Sequence, residues 1–273
     1  MIIDGRKLAA ERILQMHSFV QGLEVKPRLV ALTAMPTVPT QQFLKIKKRV
    51  ARQIGIDMSV VEVDVSQGDR GGSEALRTAL DTAHGVVIQL PFPSSIDVEE
   101  LLKELPVAFD PDVMGVAAQH TLREGSGDIR PPVTSVIRLL CKEYGVNVKG
   151  KRVAVVGQGR LVGAPVSLWL EEEGAQVVRL TRESQDLVEE IRSAHILVLG
   201  AGVPGLVRRD MVQDGVVIFD AGTSEEGGKV VGDADPLCAE RASLFTPVPG
   251  GIGPLAVCEL FANLLRLQLD YRD

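Results

Sequence analysis

The 273-residue sequence predicts an α/β protein built as two α/β domains, and three observations carry that expectation. Apolar runs of strand length alternate with segments of helical period, the order that produces parallel strands joined by crossover helices. The alternation occurs twice, on either side of a polar, Gly/Pro-bearing stretch over 117–132. Hydrophobic residues make up 45% of the chain, enough to fill a core in each half.

In the first series, RLVALTA (28–34) reads as a buried strand and TQQFLKIKKRVARQIG (40–55) as a helix ended by Gly55. SVVEVDV (59–65) alternates as a half-buried strand does, SEALRTALDTA (73–83) is helical, and GVVIQLPFP (85–93) is a strand stopped by prolines. Residues 117–132 read as linker and loop, with a helix over 133–144 after them. The second series opens with strand RVAVV, a glycine turn, helix APVSLWLEEEG and strand QVVRL (176–180). AHILVLGAG (194–202) and GVVIFDAG (215–222) supply further buried strands. PLAVCELFANLLRLQL (254–269) is a helix with apolar residues on nearly every side, which requires burial against more than one surface.

A net charge of -6 and a pI near 5.4 give no basic field, so nucleic acid is not an expected partner. No apolar run reaches bilayer length, and MIIDGRKLAAER has no signal-peptide core, so neither membrane association nor export is expected. Cys141, Cys238 and Cys258 lie far apart, an odd count that suggests reduced thiols in a cytoplasmic protein. His17, His84, His120 and His195 have no ligand spacing, and no metal is expected.

GQGRLVG (157–163) follows a buried strand and opens a helix. Gly157 permits a tight turn, Gly159 lets backbone approach a pyrophosphate, and the helix start at Gly163 offers N–H groups and a positive dipole end. Gln158 and Arg160 complete the loop. The spacing is one residue longer than the strict dinucleotide fingerprint, but the strand–turn–helix–strand context favours a Rossmann-type NAD(P) site over a bare structural turn. Arg182, after the next strand, suits the 2′-phosphate of NADP, whereas the adjacent Glu183 keeps NAD open. Thr223, just past GVVIFDAG, stands where cofactor contacts collect in open α/β sheets.

In the first half, Phe43 and Lys47 are four apart and share a helix face, while Lys45 and Lys48 point elsewhere. An apolar setting for the Lys47 stem would lower its pKa and suit it to proton transfer; a solvated surface lysine is the plainer alternative. Gln89, a polar residue ending an apolar strand, is the candidate partner that holds the ammonium.

IQLPFP (88–93), GQGRLVGAP (157–165), VVGD (230–233) and TPVPGGIGP (246–254) resemble, in order, the motifs of the bifunctional methylenetetrahydrofolate dehydrogenase/cyclohydrolase family. The similarity runs from IIDG at the N-terminus to the final helix. The resemblance implies NADP-linked oxidation of 5,10-methylenetetrahydrofolate to the methenyl form and its hydrolysis to 10-formyltetrahydrofolate. Lys47 would be the central catalytic group with Gln89 beside it. Phe43, Met114, Pro249, Gly250 and Gly251 would contact the folate. It also implies a homodimer through the cofactor domain and a final helix that packs back on the first domain. The domains would then be 1–125 with 254–273 for substrate and 126–253 for the cofactor.

Two positions depart from the family pattern. Phe43 stands where a tyrosine is expected. Met114, in FDPDVMGV, stands where an aspartate would grip the pterin, and Asp112 matches an earlier aspartate. PPVTS (131–135) replaces a cysteine–threonine–proline element. Two other readings follow: a cofactor-binding paralogue with little folate activity, or a dehydrogenase with a changed small substrate.

Overall fold

Two separate parallel sheets organise the chain in the computed structural model, which describes residues 1–126, 129–269 and 271. They belong to two compact units, one of Ala10–Pro132 with Val257–Asp273, the other of Met1–Ala9 with Val133–Ala256. The sequence-based boundaries fell at 125/126 and 253/254. Met1–Ala9 join the second unit because Ile2 bridges Phe245 and Ile3 N–H donates to the Phe245 carbonyl at 2.9 Å.

The first unit holds α1 (Gly5–Gln21, from Ala10 onward), β1 (Arg28–Thr33), α2 (Val38–Ile54), β2 (Asp57–Glu62), α3 (Asp69–Thr82), β3 (Gly85–Ile88), α4 (Val98–Glu104) and α5 (Val116–Arg123). Its strands are all parallel in the order β2-β1-β3. Because β1 leads to β2 on one side and the chain then returns to β3 on the other, the carboxyl ends of β1 and β3 form a switch point, where crevices open in such sheets. One apolar layer, with Val30, Leu32, Leu76, Val86, Ile88 and Leu102, fills the space between sheet and helices. Helix α2 begins where Thr37 accepts from the Thr40 N–H and stops where Gly55, at φ 96°, turns its N–H back to Ala51 O.

Three expectations need correction here. The strand expected over 59–65 runs over 57–62, since Asp64 caps a short 3-10 turn at Val65–Gln67. The helix expected at 73 begins at Asp69, four residues earlier. The expected linker 117–132 contains helix α5, which buries Ala118 and at eight residues is too short to declare a period; Gly127 and Asp128 lie outside the described residues.

The last helix, α9 (Ile252–Leu269), fastens to this first unit from Val257 onward, as its all-round apolar surface requires. Fully buried Asn263 donates through Nδ2 to the carbonyls of Pro111 (2.9 Å) and Arg130 (2.8 Å). Buried Glu259 pairs with Arg12 at 2.5 Å and Arg266 at 3.3 Å, which satisfies a carboxylate that burial alone would penalise. Gly85 lets the helix close on β3: a Cβ there would lie 2.6 Å from Leu264 Cδ1.

The second unit holds α6 (Pro132–Glu143), β4 (Arg152–Val156), α7 (Gly163–Glu172), β5 (Gln176–Leu180), α8 (Leu187–Ser193), β6 (Ile196–Leu199), β7 (Val217–Asp220), the hairpin β8 (Ser224–Glu226) and β9 (Lys229–Val231), and β10 (Leu244–Thr246). Its five-stranded sheet is parallel in the order β10-β7-β6-β4-β5. The chain reverses direction across this sheet between β4 and β6, so the Rossmann-type crevice lies above their carboxyl ends.

Candidate active site

Helix α2 carries its lysine to the switch point of the first sheet. Leu44, Val50, Ala51 and Ile54 bury one face, and Lys47 sits half-buried at the edge of that face, with Lys45 and Arg49 in solvent. Gln89 follows β3 directly; its N–H continues the ladder to Leu32 O at 2.8 Å, which fixes where its side chain begins. Lys47 Nζ donates to Gln89 Oε1 at 2.9 Å, and Gln89 Nε2 donates to the Leu90 carbonyl at 3.3 Å. That second bond orients the amide so that its oxygen, not its nitrogen, meets the ammonium. Burial lowers the Lys47 pKa from its ordinary value, and the negative charge of Asp112 partly opposes that shift. Lys47 is therefore not the solvated surface lysine of the plainer reading.

Phe43, one turn earlier on α2, is 38% exposed, an aromatic ring presented to solvent instead of to the core. Met114 behaves in the opposite way. It is 2% exposed and packs within the apolar layer against the sheet, so its side chain faces inward. The loop around it is tightly made. Asp110, buried, accepts from Gly115 N–H at 2.7 Å, and Val113 has φ 55°, a strained value for a β-branched residue. Burial raises the Asp110 pKa to about 6, against backbone N–H groups of the same loop that favour its charge. The half-buried carboxylate this loop leaves available is Asp112, the group that acts on Lys47. Sequence reasoning did not give Asp112 that part; only its spacing from Met114 drew notice, because its proximity to Lys47 is a tertiary fact.

In the second unit the glycine turn has the shape expected of a phosphate cradle. Gly157 takes φ 88°, and a Cβ there would fall 2.5 Å from Gly200 O. At Gly163 a Cβ would meet Gly157 O at 1.7 Å, so the turn closes only with glycine at both ends. Gly159 stands exposed with no atom within 4 Å of a Cβ position, open to a ligand. Helix α7 then presents its first N–H groups and its positive end. These features fit a dinucleotide. Gln158 is turned inward, donating to Val155 O at 3.0 Å with Ser167 at 3.5 Å from its Oε1, which leaves backbone as its contribution to any ligand. Arg160 is half-buried in the same turn. Gly157 N–H reaches Leu180 O at 2.8 Å, so Arg182, exposed two residues past Leu180, stands beside the turn. Thr223 is exposed between β7 and β8.

Pro249, Gly250 and Gly251 make the turn from β10 into α9. Val248–Pro249 is cis, Gly250 has φ 113°, and Gly251 N–H returns to Pro247 O at 2.7 Å. The residues singled out in sequence thus gather into two sets: Phe43, Lys47 and Gln89 in one unit, the glycine turn, Arg182, Thr223 and Pro249–Gly251 in the other. Met114 stands apart from the first set by facing the core.

Residues 131–271 match the family described as tetrahydrofolate dehydrogenase/cyclohydrolase, NAD(P)-binding domain. The bifunctional protein FolD of Hydrogenobaculum sp. (strain Y04AAS1) is 33% identical over 272 residues, covering 97% of each chain. A crystal structure of the bifunctional enzyme FolD, methylenetetrahydrofolate dehydrogenase/cyclohydrolase, from Campylobacter jejuni superposes with a TM-score of 0.92 at 26% identity, covering 99% of both chains. The Trypanosoma brucei methylenetetrahydrofolate dehydrogenase-cyclohydrolase, solved with NADP cofactor and an inhibitor, gives 0.89 at 30% identity, covering 98% of this chain and 96% of that one. With its NAD(P)-binding domain matched and its whole length shared with such relatives, the chain belongs to the tetrahydrofolate dehydrogenase/cyclohydrolase family.

Proposed function

We propose that this protein oxidises 5,10-methylenetetrahydrofolate to the 5,10-methenyl form with NADP and hydrolyses that product to 10-formyltetrahydrofolate. The observation that carries the reading is the Lys47–Gln89 pair: an ammonium with a lowered pKa, held at 2.9 Å by an oriented amide, in a chain whose other unit offers a phosphate cradle. The substrate unit is then 10–132 with 257–273, and the cofactor unit 1–9 with 133–256.

Bound NADP supplies the hydride acceptor for the first step. The chain's contribution to that step is position: the 157–163 backbone and the α7 N-terminus would hold the pyrophosphate, Arg182 would pair with the 2′-phosphate and Thr223 would contact the cofactor, while Pro249–Gly251 would contact the folate. In the second step water adds to the methenyl carbon and loses a proton to neutral Lys47, and the bond from that carbon to N5 then breaks as N5 takes the proton back from the Lys47 ammonium, leaving the formyl group on N10. A cationic substrate close by depresses the lysine pKa further and so favours the base form. Gln89 keeps Nζ pointed at the reacting carbon, Asp112 returns part of the charge that burial removes, and the exposed Phe43 ring offers a face for the pterin.

The test is NADPH formation by the purified protein from methylenetetrahydrofolate and NADP, with NAD alongside, followed by hydrolysis of the methenyl compound. Lys47→Ala abolishes hydrolysis and spares part of the hydride transfer. Equal loss of both steps at unchanged substrate affinity refutes this division of labour.

Met114 favours a second reading, a dehydrogenase with a changed substrate. Its inward side chain removes a carboxylate from the loop where the resemblance implies pterin recognition. NADP binding without turnover of folate would support it. Cys141, Cys238 and Cys258 are buried and form no disulfide, which suits a reducing cytoplasm. A homodimer through the cofactor unit is supported by β5, a sheet edge to which no described strand pairs on the outside; light scattering on the eluting protein at twice the chain mass is the expected result.

A further inference from the structure

Two buried carboxylates at the carboxyl end of the five-stranded sheet are unused by the mechanism above. Asp233, fully buried, accepts from three consecutive backbone N–H groups: Ala201 at 2.6 Å and Gly202 at 3.2 Å on Oδ2, and Val203 at 2.8 Å on Oδ1. Those residues form the turn after β6. Asp220, at the end of β7, accepts from Gly222 N–H (2.9 Å), Asp233 N–H (3.3 Å) and Ala234 N–H (2.9 Å). Its own N–H donates to Thr246 Oγ1 of β10 at 2.7 Å. Gly222 lies flat on the Asp233 carboxylate; a Cβ there would be 2.2 Å from its Cγ.

The turn so held is one wall of the β4/β6 crevice. The glycine turn leans on it, since Gly157 faces Gly200 O and Ala201 N with room for no Cβ. The turn after β7, resting on the other side of Asp233, leads directly into Thr223. A surface loop of this composition needs no buried acid to exist. An aspartate that collects three N–H groups of one turn, and is itself set by a second aspartate tied to β10, fixes the backbone on which a ligand's fit depends.

We infer that Asp233 is a positioning residue for the dinucleotide, acting through the Ala201–Val203 backbone, with Asp220 as its support. The inference rests on the reading of the β4/β6 crevice as the NADP site. It assigns these acids to cofactor affinity and to no part of the folate chemistry.

Asp233→Asn tests it in the full-length protein, because the amide keeps the shape while turning one acceptor into a donor against donors. The KM for NADP and its Kd by calorimetry rise roughly tenfold or more, as expected when buried N–H groups lose their acceptor. The kcat at saturating NADP and the hydrolysis of supplied methenyltetrahydrofolate, which needs no oxidant, stay within about twofold of wild type. Hydrolysis and oxidation falling together would reveal a general structural role and overturn the inference, as would an unchanged NADP affinity. Should the variant not fold, Gly202→Ala strains the same turn, since Gly202 has φ 67° with no atom closer than Ser224 Oγ at 4.0 Å. It too must weaken NADP binding while sparing hydrolysis, and failure to do so refutes the assignment. If wild type binds NADP by calorimetry but turns over no folate, the functional proposal fails while the Asp233 assignment is still decided by the variants' Kd.

Discussion

Gln89→Glu places a carboxylate where an amide oxygen now sits 2.9 Å from Lys47 Nζ, with little change in shape. Two unit charges about 4 Å apart near a protein surface attract by about 4 kcal/mol. Gln89 and Lys47 are both half-buried, so water takes up part of that, and about 1.5–3 kcal/mol is the expected net preference for the charged ammonium. At a fixed pH below the lysine's titration the neutral amine then becomes roughly 10–100-fold rarer. Hydrolysis of methenyltetrahydrofolate, followed by loss of its absorbance from about pH 6 to about pH 9, reads that population directly. The rate falls by the same factor at neutral pH and recovers as pH rises, because the base form returns at higher pH. Gln89→Leu makes the opposite comparison: it removes the acceptor without adding charge, so hydrolysis weakens through misplacement of Nζ with no displacement of the limb to higher pH. An unmoved pH limb in Gln89→Glu, or undiminished hydrolysis at neutral pH, refutes the assignment of Lys47 as the base.

Lys47→Met removes a desolvated ammonium, so thermal unfolding shifts upward while hydrolysis disappears; the gain is present below the lysine's lowered titration and fades as pH rises toward its ordinary value. Asp110 titrates at about 6 in the fold against 3.8 as its reference, so the native state binds more protons between those values and stability declines as pH climbs through them. Asp110→Asn removes that titration, so denaturant melts show the decline in stability between about pH 4 and about pH 6 flattened relative to wild type. Met114→Asp inserts a carboxylate into an apolar layer at 2% exposure and destabilises by about 3 kcal/mol in the same melts, without restoring folate affinity. Phe43→Tyr, at an exposed ring, leaves stability within about 0.5 kcal/mol.

The fold was legible wherever burial dominates. Apolar runs at 28–34 and 152–156 became β1 and β4 because a parallel strand covered on both faces needs little else to declare itself. Gly55 ended α2 where expected, since its φ 96° suits glycine. Helix α5 escaped because its stability comes from its neighbours, not from an apolar stripe. At the site, Lys47 and Gln89 were readable from a shared helix face and a strand end. The direction of Met114 was not, for a loop has no period, and only the backbone around Val113 and Gly115 decides that Met114 turns inward while Asp112 stays outside. Asp233 escaped for a related reason: nothing local to VVGD announces that a turn some thirty residues earlier brings it three N–H groups.

Both units place their candidate residues by the same topological device. In each sheet the first strand of its series has its successor on one side and the next strand on the other, which leaves a crevice over two carboxyl ends. In the first unit that position receives Gln89 and the lysine of the following helix; in the second it receives the glycine turn and the wall that Asp233 holds. Two departures from the family pattern, Phe43 and Met114, belong to the first unit. Phe43 keeps an exposed ring and gives up only a hydroxyl, whereas Met114 exchanges a polar group for core packing. Such an exchange adds apolar burial to the loop that carries Asp112, a carboxylate whose charge acts on Lys47. Under the proposed function, the absence of an acid at position 114 and the retention of the Lys47–Gln89 pair are compatible: one would alter how strongly the substrate is held, the other how the proton moves once it is there.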